Sequence, residues 1–353
     1  MAEALRLAEL GAWTTHPNPR VGCVIADGAA VVGRGWHERA GGPHAEVVAL
    51  ADAGERARGA TAYVTLEPCA HHGRTPPCAD ALLAAGIARV VAAVPDPFPE
   101  VDGRGFGKLR AGGVVVEVGL LRPAGEALIR GFLSRVQRGR PWVRVKLAMS
   151  LDARTALADG ESRWISSGAS RADVQRLRAR ASAILTASGT VLRDDPRLNV
   201  RIDTPRQPHR YVIDTELQTP ATAQVLTTGA TTLVVADDVD PPAWTEQRGV
   251  TVLHAPRAPR GLDLAAVLRL LADRGENELH VEAGAGLCGG LATAGLIDEL
   301  VLYVAPHLLG PGRPLLQLPA LESMGDRMNW RFDEVRHVGE DLRITCSPES
   351  SRP

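Results

Sequence analysis

Lysine is almost missing from this chain of 353 residues: Lys108 and Lys146 are the two, and every other basic residue is an arginine. Aromatic residues make up 4%, and acidic and basic residues nearly cancel to a formal net charge of -1. A nucleic-acid groove needs surplus cations and rings on which bases stack, so both shortages argue against a nucleic-acid partner. No apolar run approaches the roughly 20 residues of a membrane-spanning helix. Met1–Gly11 reads as a mixed helix without a secretory pattern. Neither a membrane partner nor export is expected, and the cytoplasm is the expected compartment. Cysteines are few, odd in number and scattered: Cys23, Cys69, Cys78, Cys288 and Cys346. That set argues against a disulfide framework and for a reducing environment. Repeats and low-complexity segments are absent too. The length exceeds one ordinary domain, and a 45% apolar share suffices for two cores.

What the chain does have is a cluster of metal-binding residue types. Thr65-Leu66-Glu67-Pro68-Cys69-Ala70-His71-His72-Gly73-Arg74-Thr75-Pro76-Pro77-Cys78 follows His44-Ala45-Glu46. One imidazole, two thiols and one carboxylate are the parts of a catalytic zinc site, in which three protein ligands leave a fourth position open. The H-x-E plus P-C…C pattern is that of zinc nucleobase deaminases, whose Glu moves protons and is not a ligand. In a continuous helix His44 and Glu46 would point about 200° apart, at roughly 100° per residue. Both can face one metal only if His44 precedes the helix with non-helical dihedrals, and Gly41-Gly42-Pro43 supplies such a break. Cys78 follows Pro76-Pro77 at a predicted helix N-terminus, which favours the thiolate. The plainer alternative is a structural zinc completed by His71 or His72.

Taken in order, Ala2–Leu10 predicts an amphipathic helix, and Val21–Ala26 with Val31–Trp36 a hairpin around Asp27-Gly28. Strands are predicted at Ala62–Thr65, Arg89–Val94 and Val114–Val118, with helices at Ala79–Ala85 and Arg122–Arg138. Gly139-Arg140-Pro141 breaks the pattern, so the expected domains are residues 1–139 and 140–353. The second starts with strand Trp142–Ala148 and helix Arg171–Ala181. Further strands are expected at Ala183–Thr186, Arg210–Asp214, Thr231–Ala236, Val250–Leu253, Leu279–Glu282 and Glu299–Ala305, with a helix at Leu264–Asp273. Strands alternating with helices imply a mostly parallel α/β sheet.

Strand Leu279–Glu282 runs into Gly284-Ala285-Gly286-Leu287-Cys288-Gly289-Gly290, ahead of a predicted helix at Leu291–Gly295. Glycines let backbone approach a phosphate, and a following helix N-terminus favours its charge. Tight strand–helix packing is the plainer reading. Thr190–Arg201 predicts a polar loop, and Ser162-Arg163-Trp164 is a second polar cluster. Arg144 and Lys146 alternate with Val143, Val145 and Leu147, which puts both on one strand face. A compact ammonium at Lys146 could hold a ribose or phosphate oxygen, with Glu282 as its partner. A structural ion pair is the alternative.

These motifs together resemble the bifunctional riboflavin-biosynthesis family, a pyrimidine deaminase fused to a ribosyl reductase. The resemblance runs from Ala4 to about Thr345. It rests on His16-Pro17-Asn18-Pro19, Val21-Gly22-Cys23-Val24, His44-Ala45-Glu46, Thr65–Cys78, Lys146–Asp152, Thr190–Pro196 and Val281-Glu282-Ala283-Gly284. The eight residues between Cys69 and Cys78, against two in most cytidine deaminases, are typical of this branch. The resemblance implies a cytidine-deaminase-like α/β/α sandwich followed by a dihydrofolate-reductase-like α/β domain. It implies one Zn2+ on His44, Cys69 and Cys78, proton shuttling by Glu46, and NADPH in the second domain. The implied substrate is a small-molecule pyrimidine ribotide, with Asn18, His37, His71 and Arg74 around its pyrimidine and phosphate. Ala148, Trp164, Thr190, Asp194, Thr215 and Gly284–Gly290 match cofactor positions. Ser162, Arg178, Leu198, Arg201 and Glu282 match substrate positions, although Arg201–Arg210 is short for the family. A homo-oligomer, dimer or tetramer, is expected. The competing classes are a nucleic-acid-editing deaminase, disfavoured by composition, and a zinc-stabilised binding protein, disfavoured by the open fourth position.

Overall fold

Short apolar runs become strands and periodic runs become helices in a computed structural model, which describes residues 1–70, 77–227 and 229–349. Two units divide the chain, Met1–Gly139 and Arg140–Pro353, each with its own main sheet.

In the first unit the elements are α1 (Ala2–Glu9), β1 (Gly22–Asp27), β2 (Ala30–Trp36), α2 (Ala45–Ala53), β3 (Thr61–Leu66), α3 (Cys78–Ala84) and β4 (Arg89–Val94). They continue with α4 (Arg104–Ala111), β5 (Val115–Val118), α5 (Arg122–Leu128) and α6 (Arg130–Arg138). The sheet order is β2-β1-β3-β4-β5. The hairpin and the β1–β3 pair are antiparallel, and the remaining pairs are parallel. One face is packed by Ala45, Ala49, Leu82, Phe106 and Leu109. The other is packed by Ala8, Leu128 and Phe132. Helices on both faces make an α/β/α sandwich. A Cβ on Gly35 would come within 2.3 Å of the Ala45 carbonyl, so only glycine lets β2 press against the start of α2.

Two expectations need correction here. Arg122–Arg138 is two helices, because Ile129 leaves the helical region with φ -112° and ψ 20°. Sequence periodicity also misses α4, whose Gly105 and Gly107 lower helix propensity. Gly105 is required there, since a Cβ would lie 1.9 Å from the Pro68 carbonyl oxygen.

The second unit runs β6 (Trp142–Ser150), β7 (Arg154–Leu157), α7 (Gly168–Arg180), β8 (Ala183–Ala187), α8 (Ser188–Asp194), β9 (His209–Ile213) and β10 (Thr231–Ala236). It goes on through α9 (Ala243–Gln247), β11 (Thr251–Ala255), α10 (Leu264–Asp273), β12 (Glu278–Val281), α11 (Ala285–Thr293) and β13 (Glu299–Ala305). It closes with β14 (Gly312–Pro314), β15 (Trp330–Val338) and β16 (Asp341–Pro348). The nine-stranded order is β11-β10-β9-β8-β12-β6-β13-β16-β15, and β7 pairs with β14 separately. Pairing is parallel from β11 to β13, and β16 and β15 then add antiparallel. These are the two architectures that the resemblance implies.

The Thr190–Arg201 segment is not all loop: its first residues complete α8, and the polar loop begins after Asp194. The glycine run is also helical. α11 starts at Ala285 with Gly284 as its cap, so Gly286, Gly289 and Gly290 lie inside the helix. A Cβ at Gly289 would meet the Gln317 carbonyl at 2.2 Å, which is the tight-packing explanation for that glycine. No helix among the described residues is long and apolar enough to cross a membrane.

Candidate metal centre and second cavity

His44 caps α2 with φ -75° and ψ 159°, the non-helical geometry that the H-x-E spacing requires. That break turns its imidazole and the Glu46 carboxylate toward one cavity of about 500 Å3. Cys78 opens α3 after Pro77, and its backbone N–H donates to the Cys69 sulfur at 3.3 Å. His44 Nδ1 lies 3.2 Å from the Cys78 sulfur and 3.6 Å from the Cys69 sulfur. All three donor atoms fall within 4.8 Å of one another. A tetrahedral zinc with S and N bonds of ~2.3 and ~2.0 Å has ligand–ligand edges of about 3.5 Å, so this triangle fits the ion.

The electrostatics agree. A hydrogen bond from the Cys78 thiol, with help from His44, holds Cys69 far below an ordinary thiol. The same pairing, together with burial, pushes Cys78 up. Two thiols thus compete for one negative charge, a conflict that a divalent cation relieves. Glu46 is 3% exposed, and burial pushes its carboxyl up to about 7. It stands beside the donor set as a group that can both take and give a proton near neutrality.

Asn18 and His37 reach the same cavity, joined by a 3.1 Å contact between Asn18 Nδ2 and His37 Nε2. His37 Nδ1 lies 2.9 Å from the Pro43 carbonyl and must donate there, so Nε2 is the acceptor for Asn18. The expected substrate residues His71 and Arg74 lie outside the described residues. Sequence reasoning missed Glu67, whose buried carboxylate accepts the backbone N–H groups of Asp96, Gly103 and Phe106. It thereby fixes the loop that carries Phe98 and Val101 into the cavity wall. Its place two residues before Cys69 was the available signal.

The second unit holds a cavity of about 1580 Å3. That exceeds the roughly 300–1,000 Å3 of a site for one drug-sized ligand, and leaves room for a dinucleotide beside a sugar phosphate. Lys146, Ala148, Ser162, Trp164, Arg178, Thr190, Asp194, Leu198, Arg201 and Glu282 all line it. Gly284, Ala285, Gly286 and Leu287 place the N-terminal turn of α11 on the same wall, where backbone N–H groups suit a phosphate. Arg163, Arg171, Arg193 and Arg197 add cations. The donor chemistry therefore fits a phosphate-rich cofactor.

Four expected cofactor residues are elsewhere. Cys288, Gly289 and Gly290 follow the helix away from its N-terminus, and the buried Cys288 thiol donates to the Ala283 carbonyl. Thr215 stands beyond the end of β9, where its carbonyl accepts the Ala236 N–H. The short segment after Arg201 is tied off by Gln207, which bonds both N–H and C=O of Val200.

Glu282 is not the partner of Lys146. The Arg178 guanidinium grips both its carboxylate oxygens, at 2.5 and 2.9 Å, and His280 Nε2 lies 3.3 Å away. Burial alone would raise the Glu282 carboxyl, but Arg178 and then His280 hold it well below the usual range. Lys146 makes no ion pair among the described residues. Its ammonium sits 5.8 Å from the Tyr303 ring centroid, and burial lowers its pKa. Arg144, on the same face, is the structural ion pair, bound to Glu299 at 2.8 Å and Glu278 at 3.3 Å.

Comparison with known proteins matches both units. Residues 1–94 match the cytidine and deoxycytidylate deaminase zinc-binding region, and residues 141–344 match the RibD C-terminal domain. The riboflavin biosynthesis protein RibD of Escherichia coli K12 is 49% identical, with 97% of this chain and 96% of that one aligned. Acinetobacter baumannii RibD superposes with a TM-score of 0.91 at 40% identity, over 98% of this chain and 97% of that one. A Thermotoga maritima protein named diaminohydroxyphosphoribosylaminopyrimidine deaminase/5-amino-6-(5-phosphoribosylamino)uracil reductase superposes with a TM-score of 0.88. It is 29% identical, with 99% and 97% covered.

Proposed function

This chain belongs to the RibD family, zinc- and NADPH-dependent bifunctional deaminase–reductases of riboflavin biosynthesis, and we propose how its residues divide that work. The first unit hydrolyses the 2-amino group of 2,5-diamino-6-ribosylamino-4(3H)-pyrimidinone 5′-phosphate, releasing ammonia. The second reduces the ribosyl group, giving 5-amino-6-ribitylamino-uracil 5′-phosphate.

His44, Cys69 and Cys78 hold the zinc, which when bound activates water as a nucleophile. Glu46 carries the protons: it takes one from the attacking water and gives it to the ring nitrogen, then takes the second from the added hydroxyl and gives it to the departing amine, leaving the carbonyl. Asn18 and His37 present a fixed pair of polar groups to the pyrimidine edge, and His71 and Arg74 complete that binding. In the second unit Ala148, Trp164, Thr190, Asp194 and the start of α11 bind NADPH, which supplies the hydride. Lys146 donates to an oxygen of the opening ribose, and Ser162, Leu198 and Arg201 hold the ribotide. Arg178 and Glu282 form a neutral, rigid pair beside it.

The observation that carries this reading is the convergence of three metal donors and a buried Glu46 on one cavity. The test is to supply the diaminopyrimidine ribotide and follow ammonia release and NADPH oxidation together. Neither signal, from protein holding one zinc per chain, would overturn it. We also expect a homo-oligomer, dimer or tetramer. Edge strand β15 exposes Phe332 (69%) and Val335 (56%), a surface that suits burial against another copy. Light scattering that reports a monomer would refute this. The five unpaired cysteines support a cytoplasmic setting, which fractionation of cells would check.

A further inference from the structure

Lys146 lines the second cavity without an ion pair among the described residues. Glu282, the carboxylate whose charge acts on it, is gripped by Arg178 instead. A lysine stem is long and rotamer-rich, so an unanchored ammonium would sample much of the cavity. What faces it is a ring. β6 and β13 pair in parallel, with Lys146 opposite Val301 and Ala148 opposite Tyr303. Alternation puts these four residues on one face of the sheet, the face that α7 covers with Val174 and Leu177. The ammonium lies over the Tyr303 ring, 5.8 Å from its centroid, which is within cation–π range.

Tyr303 is fully buried and does not itself line the cavity. Its hydroxyl donates to Asp173 of α7 at 2.7 Å. Asp173 also accepts Arg343 of β16 at 3.0 Å and Arg336 of β15 at 3.4 Å. The ring is therefore tied through its hydroxyl to three elements besides its own strand. An ion pair could also place the ammonium, but it would neutralise the charge and occupy N–H groups. A ring face attracts the charge and leaves N–H groups for a ligand oxygen.

We propose that Tyr303 is a positioning residue of the reductase site: its ring, braced by Asp173, keeps the Lys146 ammonium charged and aimed at the opening ribose. This rests on the reading of Lys146 given above. Burial lowers the Lys146 pKa, Glu282 after β12 raises it, Arg178 on α7 lowers it, and Cys288 on α11 raises it. The face of Tyr303, on β13, adds to the raising side, because it favours the charged form.

With only two lysines in the chain, the test is direct. Full-length protein carrying an isotope label at the lysine ε-carbon gives one NMR signal for Lys108 and one for Lys146, and Lys146→Met assigns them. Tyr303→Leu should lower the pH midpoint of the Lys146 signal by about one unit, the worth of a desolvated cation–π contact. With the deaminated ribotide supplied directly, kcat for NADPH oxidation should fall by about 10–100-fold, the cost of a misplaced reacting group. The alkaline limb of its pH profile should move down with the signal, while the NADPH dissociation constant stays. Tyr303→Phe keeps the ring and should restore midpoint, limb and most of kcat. Tyr303→trifluorophenylalanine keeps the shape but drains negative charge from the ring face, so it should lower the midpoint again. That arm decides the matter if Tyr303→Leu does not fold. An unmoved midpoint in the fluorinated variant overturns the proposal. So does loss of the alkaline limb in Tyr303→Phe, which would assign that limb to the tyrosine hydroxyl. If Lys146→Met still reduces the ribotide within a few-fold of wild type, the reading of Lys146 fails, and this inference with it.

Discussion

Two buried glutamates, Glu46 and Glu282, stand in the two cavities and are driven in opposite directions. Glu46 has burial as its dominant influence and rises to about 7. Glu282 suffers the same burial, but Arg178 and His280 outweigh it and hold the carboxyl well below its usual range. The residue type is identical and the local charge decides the role. A carboxyl poised near neutrality can move protons, whereas one clamped by a guanidinium is a fixed charge. On the proposed reading, the deaminase site does its acid–base chemistry with this glutamate. In the reductase site the proposed reading gives that role to Lys146, which lines the cavity and has no carboxylate within ion-pair distance among the described residues.

The strongest way to break this contrast is Glu46→Gln. The amide keeps the shape but cannot take a proton, so deamination should fall by about 10²–10⁴, while zinc content and NADPH oxidation with the deaminated ribotide supplied directly should remain. Turnover near wild type would mean that another group carries the proton. The matching test on the other side is Lys146→Met. Ribosyl reduction should drop by about 10²–10³, as when a single transition-state donor is removed. Zinc content, deamination and NADPH binding should stay. Reduction within a few-fold of wild type would make Lys146 scaffolding.

The difference between the sites also explains what sequence could reveal. The candidate donor set was legible because its positions announce themselves: Pro43 before His44 and Pro77 before Cys78 mark where helices begin. The second cavity is assembled from the ends of parallel strands, and linear order hides who meets whom. The alternation of Arg144 and Lys146 correctly put both on one face. It could not show that Arg144 is taken by Glu278 and Glu299 from two neighbouring strands. Nor could it show that Arg178 reaches Glu282 from α7, across 104 residues. The strand and helix alternation was readable for the parallel core. The β15–β16 hairpin escaped because seven successive residues of β15 are exposed, which erases the period-two signal.

A third test converts one glutamate into the other's situation. Glu282, with its depressed pKa, stabilises the fold above the ordinary carboxyl range, and that contribution is lost as pH falls through the folded value. Arg178→Gln removes the larger of the two compensating partners, leaving burial opposed by His280 alone. The variant should lose about 3–5 kcal/mol at neutral pH, the cost of an uncompensated buried charge. Its stability should then rise toward acid, where Glu282 is neutral, opposite to the wild-type contribution. Thermal unfolding from about pH 3 to pH 8 reads both slopes. Parallel profiles for the two proteins would show that Arg178 does not set the state of Glu282.

The smallest expected effects lie in the glycine run, and they separate its two readings. Gly289 faces the Gln317 backbone, where a Cβ would fall 2.2 Å from the carbonyl oxygen and 2.8 Å from its carbon. Backbone cannot swing aside as a side chain can, so Gly289→Ala should cost roughly 1–3 kcal/mol of stability through overpacking. The affinity of the folded fraction for NADPH should be unchanged, because Gly289 is buried inside α11 and away from the cavity. Gly284 is the opposite case. It caps α11 with φ -75°, a value open to any residue, and a Cβ there meets nothing within 4 Å. A phosphate at this helix start is held by N–H groups of the first turn, not by the lack of a side chain. Gly284→Ala should therefore leave stability intact and change the NADPH dissociation constant by less than about threefold, a cost under 1 kcal/mol. Titration of NADPH fluorescence and thermal unfolding of both variants decide the matter. A large affinity loss at Gly284 with none of stability would mean that the cofactor backbone presses directly on that Cα, and that close approach is the reason for glycine.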